Sequence, residues 1–295
     1  MEELRDCYWW QPNRKILTDS EVPVSGLRVI GYNFNRYARE PLEQHYHKNS
    51  MEITFVAQGS QIFKIEDKEY LVTGGEVFIT YENEVHGTGG NPQGICEQYW
   101  LQLDLSKREY FLGLSPYWAD IMYSGISNIR NRHFKIDKSY AGVLKEAIYK
   151  YNSSERLDQI EAHCGLLSFV NELIKRSSVA EGEAFTEDIS MAKKFIDDNV
   201  YNVISIEQIA RMCNLSVSRL KAKFCEQVGM APIQYYNYKR LKEAKRLLEN
   251  GEGITDAAYK LQFSSSSHFS NFFKKHTYMT PKQYKKECSK KNDNG

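Results

Sequence analysis

Between residues 206 and 281 the chain repeats itself. Ile206-Glu-Gln-Ile-Ala210 leads through Asn214-Leu215-Ser216 to Leu220 and Phe224, then Gly229-Met230-Ala231-Pro232. Ile254-Thr-Asp-Ala-Ala258 leads through Gln262-Phe263-Ser264 to Phe269 and Phe273, then Tyr278-Met279-Thr280-Pro281. Ala210 and Ala258 match at an offset of 48, whereas Phe224 matches Phe273 and Pro232 matches Pro281 at 49, so the second copy carries one extra residue in its turn. Each copy reads as an amphipathic helix, a tight turn and a second amphipathic helix. The small Ala210 and Ala258 let the two helices approach closely, and Ser216 stands where it can N-cap the second.

That layout is a helix-turn-helix, whose second helix enters the DNA major groove. Leu220 and Phe224 lie one turn apart and point inward, as do Phe269 and Phe273. At about 100° per residue, Ser218, Lys221, Ala222 and Cys225 then point away, with Arg219 and Lys223 on the flanks. In the second copy Ser267, Ser270, Asn271 and Lys274 point away, with His268 on a flank and Ser266 beside them. Lys and Arg reach guanine edges or phosphates, and Asn pairs bidentately with adenine. The expected DNA contacts are therefore Ser218, Arg219, Lys221, Ser266, Ser267, His268, Ser270, Asn271 and Lys274. Between the copies, Pro232 opens a helix running to about Asn250, a rod of roughly 27 Å. Such a rod suits two recognition helices about one DNA turn, near 34 Å, apart. Charge agrees. Residues 187–295 hold 19 Lys/Arg against 12 Asp/Glu, whereas residues 1–186 hold 20 against 26, an asymmetry hidden in a net charge of +1. A basic end joined to an acidic one is expected where one end meets a polyanion.

Residues 187–287 resemble the DNA-binding domain of the AraC/XylS family of bacterial transcription regulators. The resemblance rests on Ile206-Glu-Gln-Ile-Ala210, Leu215-Ser216, Arg240-Leu-Lys-Glu-Ala244 with Leu247-Leu248, and Phe269-Ser-Asn-Phe-Phe-Lys-Lys-His276 with Met279-Thr-Pro281. It implies double-stranded promoter DNA as a partner, with RNA polymerase as a second if the protein activates. The family usually has Gly where Asn214, Gln262 and Tyr278 stand, so a left-handed backbone is expected there, at a cost of about 1 kcal/mol at each of the two second-copy sites. An Arg common in the family's first recognition helix corresponds to Ala222, which shifts weight to Arg219 and Lys221. Thr280-Pro281-Lys282-Gln283 reads as the capped start of a last helix that dissolves by about Ser289.

Residues 27–105 read as strands: Leu27–Tyr32, Ile53–Ala57, Gln61–Ile65, Glu76–Ile79 and Gln98–Leu105, separated by turns such as Gln58-Gly59-Ser60. Short strands at close spacing suggest a barrel or sandwich. From about 138 the period becomes helical. Leu144, Ala147, Ile148 and Tyr151 share one face; a second helix puts Leu157, Ile160, Cys164, Leu167 and Ile174 near heptad spacing, with Leu166, Phe169 and Leu173 alongside. The expected class is an α+β multidomain protein: a cupin-like effector-binding barrel over 1–136, a helical dimerisation segment over 137–177, a linker over 178–187 and a double helix-turn-helix domain over 188–290.

His45-Tyr46-His47, Glu52 and Gly59, followed by Tyr81-Glu82-Asn83-Glu84-Val85-His86, resemble the two motifs of the cupin barrel. That resemblance implies that His45, His47, Glu52 and His86 hold a divalent metal or a small polar ligand, with a plain structural role in the barrel as the third reading; Tyr32 and Tyr81 are added as effector contacts. Three His and one Glu suit Zn²⁺, Fe²⁺, Mn²⁺ or Ni²⁺. No cofactor beyond such a metal is implied. Plentiful aromatics beside polar edges suit a sugar effector and suit core packing equally. The expected protein is a cytoplasmic homodimeric regulator, an activator by the family's habit, and not an enzyme. Two alternatives stand beside it: a ligand-independent DNA-binding protein whose barrel only dimerises, and a metal-dependent cupin enzyme. No window of 18 apolar residues exists, so no membrane span is expected, and the acidic Met1-Glu2-Glu3 start lacks a secretory signal. Cysteines at 7, 96, 164, 213, 225 and 288 form no CxxC and suggest reduced thiols.

Overall fold

The computed structural model describes residues 3–178 and 185–292, so most of the expected linker lies outside the described residues. The chain forms two compact units. One takes Pro41–Gly90 and the chain up to Asn35 and from Cys96; the other takes the C-terminal part with the short segments Arg36–Glu40 and Asn91–Ile95. The expected class holds: a sheet-rich N-terminal part and a helical C-terminal part.

The first unit is an antiparallel sheet backed by three helices. Its strands are β1 (Trp9–Gln11), β2 (Arg14–Thr18) and β3 (Leu27–Phe34); then, after β4 (Arg39–Pro41), β5 (Ser50–Ile65), β6 (Lys68–Thr73) and β7 (Glu76–Thr80); then, after β8 (Pro92–Gln93), β9 (Cys96–Asp104). With β10 (His133–Lys135) the order is β1-β2-β3-β9-β5-β7-β10, with β6 paired to β5, while β4 and β8 pair separately. The turn expected at Gln58-Gly59-Ser60 does not form. β5 runs straight through it, with a bulge between Val56 and Gln58 and Gly59 at φ 84°. The extra residue bends the strand, so its first half pairs with β7 and β9 and its second half with β6.

Strand alternation then sorts the side chains. Ile53, Phe55, Tyr99, Leu101 and Leu103 share one core with helices α1 (Pro116–Ser127), α2 (Tyr140–Tyr151) and α3 (Arg156–Ser177). Glu52, Thr54, Trp100 and Gln102, paired across β5 and β9, take the other face. Leu144, Ala147, Ile148 and Tyr151 are buried on α2 as expected. On α3 the buried stripe is Ala162, Leu166, Phe169, Val170 and Leu173, whereas Leu157 and Ile160 are 75% and 59% exposed and Cys164 is exposed too. The heptad line at that end of the helix therefore faces away from the core.

The second unit holds α4 (Glu187–Asp198), α5 (Ile206–Met212), α6 (Val217–Val228), α7 (Pro232–Glu249), α8 (Ile254–Lys260), α9 (Ser266–Thr277) and α10 (Pro281–Asn292). α10 runs past the expected end at Ser289, and Thr280 and Gln283 cap it reciprocally. Two cores form, one around Leu220 and Phe224, the other around Phe269 and Phe273. α7 contributes to both, with Tyr235 and Tyr236 in the first and Ala244, Leu247 and Leu248 in the second. Arg240 joins them: it is buried, donates to the Leu261 carbonyl, and lies 4.0 Å over the Phe263 ring. No described helix is long and apolar enough to cross a membrane, and all six cysteines are free.

The three positions expected to be left-handed are so: Asn214 at φ 54°, Gln262 at 52° and Tyr278 at 70°. Unlike Asn, Gln has no short polar side chain that helps it tolerate this conformation. Gln262→Gly should therefore raise the stability of the chain by about 1 kcal/mol, measured as a higher denaturant midpoint at unchanged slope.

Candidate functional site

The backbone builds the first site. His45 and His86 form an antiparallel bridge, each N–H donating to the other's carbonyl at 3.0 Å. Their ring centres lie 4.3 Å apart with the planes tilted by 58°, and the His47 ring stands within 5.3 Å of both. Each imidazole donates Nδ1–H to a backbone carbonyl: His45 to Glu43 (2.8 Å), His47 to Leu4 (3.0 Å) and His86 to Glu84 (3.0 Å). A carbonyl only accepts, so in a neutral ring this bond fixes the tautomer and leaves Nε2 with a bare lone pair. One ring nitrogen from each His lies within 4.8 Å of the others. Glu52 reaches into the same space, with its carboxylate 3.2 Å from His47 Nε2 and 3.5 Å from His86 Nε2.

Polar groups crowd this centre. The Gln102 amide donates to Asp6 (2.8 Å) and Glu52 (3.2 Å) and lies 3.3 Å from His47 Nε2. His86 Nε2 is buried with no hydrogen-bond partner. Proton equilibria bend to this. Burial opposes the charge on Glu52, yet His47, which in its protonated form turns Nε2–H to the carboxylate, together with His86 outweighs burial and holds the Glu52 carboxyl well below the usual range. Burial also pulls His47 down, but Glu52, the Leu4 carbonyl and Asp6 together hold it above the ordinary imidazole value. Burial and the neighbouring His86 lower His45, and burial with the Glu52 charge raises Asp6. Three nitrogens and a carboxylate suit a first-row divalent cation, and the orphaned His86 Nε2 is the acceptor such an ion would satisfy. The residues present thus fit a metal.

Sequence placed His45, His47, Glu52 and His86 together, and the structure brings them together. Tyr32 and Tyr81 lie elsewhere. Tyr32 sits on the opposite sheet face against Tyr99 (5.1 Å), and the Tyr81 hydroxyl donates to the Arg130 carbonyl while its ring lies under Arg132. Asp6 and Gln102 were missed. Gln102 was legible from strand alternation, two residues from Trp100 on β9; nothing local marked Asp6, which arrives through the pairing of Glu3 with Tyr46.

The second site is the pair α6 and α9, of twelve residues each. Ser216 caps α6 by accepting from Arg219 N, and Ser265 caps α9 by accepting from His268 N, which places the extra residue of the second copy at Ser264-Ser265. Ser218, Arg219, Lys221, Ser267, His268, Asn271 and Lys274 are exposed, and Ser266 and Ser270 half-buried. Arg219, Lys221, Asn271 and Lys274 make no side-chain hydrogen bond or ion pair among the described residues. Lys223, expected on the flank, is committed to Asp188 at 2.6 Å. Ser266 and His268 are partly spoken for by Thr255 and Ser264.

Comparison with known proteins separates the same two parts. The family described as AraC-like ligand binding domain matches residues 30–120, and a helix-turn-helix domain family matches residues 209–287. Among curated relatives, the HTH-type transcriptional activator RhaS of Escherichia coli (strain SMS-3-5 / SECEC) is 23% identical over 255 residues, covering 84% of this chain and 88% of its own. Among solved structures, an AraC-type DNA-binding regulator from Chromobacterium violaceum is 26% identical with TM-score 0.32, over 34% of this chain and 91% of that one. ToxT from Vibrio cholerae is 16% identical with TM-score 0.34, over 87% of this chain and 99% of that one.

The metal fit is testable without DNA. Equilibrium dialysis against Zn²⁺ should find one tight site per chain, and Glu52→Gln should weaken it by at least about 10-fold. Zn²⁺ retention unchanged in that variant would remove Glu52 from the site.

Proposed function

Since this chain belongs to the AraC family of DNA-binding transcription regulators and carries that family's ligand-binding domain, we propose that a small molecule at the His45–His47–Glu52–His86 centre sets how tightly α6 and α9 hold promoter DNA. The observation that carries this reading is the buried cluster of three imidazoles beside Glu52, in which His86 Nε2 has no hydrogen-bond partner. A ligand rich in hydroxyl donors, such as a sugar, satisfies such a centre directly. A divalent cation held by the four side chains would supply Lewis acidity and a coordination position for an effector oxygen.

The rest follows from the family and the surfaces. The domain divisions are taken as 1–136, 137–177, 178–187 and 188–290. Leu157, Ile160 and Cys164 on α3 form the seam on which two copies pair. Activation is supported by the printed name of RhaS, a transcriptional activator, and RNA polymerase would then be the second partner. The protein acts in the cytoplasm, beside its promoter, and its output is DNA occupancy rather than turnover. Effector binding works by population shift: a ligand that binds one state better moves the equilibrium by its differential affinity.

Bases are read by the unengaged side chains. Asn271→Ala should relax preference at one base position, by about 1–3 kcal/mol of discrimination. Lys274→Ala should weaken all sequences alike and reduce the salt slope by about 1. Both are read by fluorescence anisotropy over a panel of operators and salt concentrations; unchanged affinity and preference in Asn271→Ala would contradict the face assignment. His47→Ala should abolish the effector's influence on DNA affinity while leaving effector-free affinity within about twofold. A full response in that variant, titrated with a panel of sugars, would move the effector out of this centre.

A further inference from the structure

Lys15 is the one lysine buried among the described residues, at 3% exposure. It stands on β2 opposite Tyr32 of β3, on the sheet face turned toward α2. Its ammonium donates to the carbonyls of Gln11 (3.1 Å) and Pro12 (3.2 Å) and lies 5.4, 5.3 and 5.0 Å from the ring centres of Trp10, Tyr32 and Tyr149. Aromatic faces stabilise a cation, but buried lysines nearly always have an acidic partner, and no carboxylate pairs with this one among the described residues. An ammonium carries three N–H donors, and two are spent on carbonyls. Lys15 also lines a pocket of about 90 Å³, bounded by Pro12, Tyr32, Lys145, Ile148 and Tyr149. Lys145, exposed on α2, likewise forms no ion pair among the described residues.

Two cations on one small pocket call for an anion, and the surroundings narrow its class. Glu97 lies near: it accepts from the Tyr99 hydroxyl at 3.2 Å, and after burial its charge is the next cause that pushes the Tyr32 phenol up to about 12. That fixed negative charge disfavours a dianion. The volume is below the roughly 150 Å³ that houses a benzene, and Pro12, Ile148 and the tyrosine rings offer apolar contact for a few carbons. We propose that this pocket, on the opposite sheet face from the histidine centre and independent of it, binds the carboxylate of a short-chain organic acid. One carboxylate oxygen accepts the third Lys15 N–H, Lys145 closes over the other, and the alkyl part rests against Ile148 and Tyr149. The ligand bridges β2 and α2.

Equilibrium dialysis of the full chain with radiolabelled propionate tests this. Saturable binding at one site per chain is expected, with a dissociation constant of about 1 mM. Unlabelled butyrate should displace it, and neither propionamide nor inorganic phosphate should. Lys145→Ala, a surface change, should weaken binding about 5-fold. Lys15→Met should abolish it while leaving Zn²⁺ uptake at the histidine centre unchanged. Absence of saturable propionate binding would overturn the proposal. Equal competition by propionamide would overturn charge recognition, and equal competition by phosphate would overturn the carboxylate class. Wild-type affinity in Lys145→Ala would overturn the location.

Discussion

A carboxylate stays charged in a protein interior only if its surroundings replace the water it has lost, and Glu52 organises the sheet domain around that demand. Desolvating one such ion costs several kcal/mol. Here His47, His86 and the Gln102 amide surround it. Those partners come from separate places in the chain: the segment before β5, the segment after β7, and β9. Each imidazole is then held from behind by a main-chain carbonyl. Ring orientation is thus set by the fold rather than by ligand. The N-terminal residues are drawn in as well, through the Leu4 carbonyl and the Asp6 carboxylate. A ligand or cation entering this centre would alter the charge balance of all these segments together.

The helical unit rests on a different device. Two copies of one motif would be two loosely tethered modules if each kept to its own core. α7 prevents this by giving its first turns to one core and its last to the other, with Arg240 buried between them against Phe263 and the Leu261 carbonyl. A continuous helix of eighteen residues is stiff, so the two recognition helices are carried on a common rod. Serine caps start both recognition helices, and left-handed residues, Gly229 and Tyr278, end both.

Much of this was legible. The repeat announced two helix-turn-helix units, and its one-residue offset appears as the added serine before α9. Replacement of the usual glycines by Asn214, Gln262 and Tyr278 correctly marked strained backbone, because a turn of that shape needs φ > 0 whatever residue occupies it. The histidine motifs gathered as their spacing implied. What failed was long-range. Gly59 looked like a turn and lies inside a continuous strand just past a bulge, because local composition cannot say whether a strand bends or reverses. Tyr32 and Tyr81 looked like effector contacts and are not at the centre, because an aromatic residue carries no address. Asp6 and the buried Lys15 gave no local signal at all; their surroundings are assembled from distant segments.

The central claim is that one chain presents two recognition helices to one face of DNA. A hydroxyl-radical footprint of the full chain on its operator tests this most directly. The account predicts, for each bound chain, two protected backbone segments about one helical turn apart on the same face. A single protected segment per chain, or two on opposite faces, would contradict it.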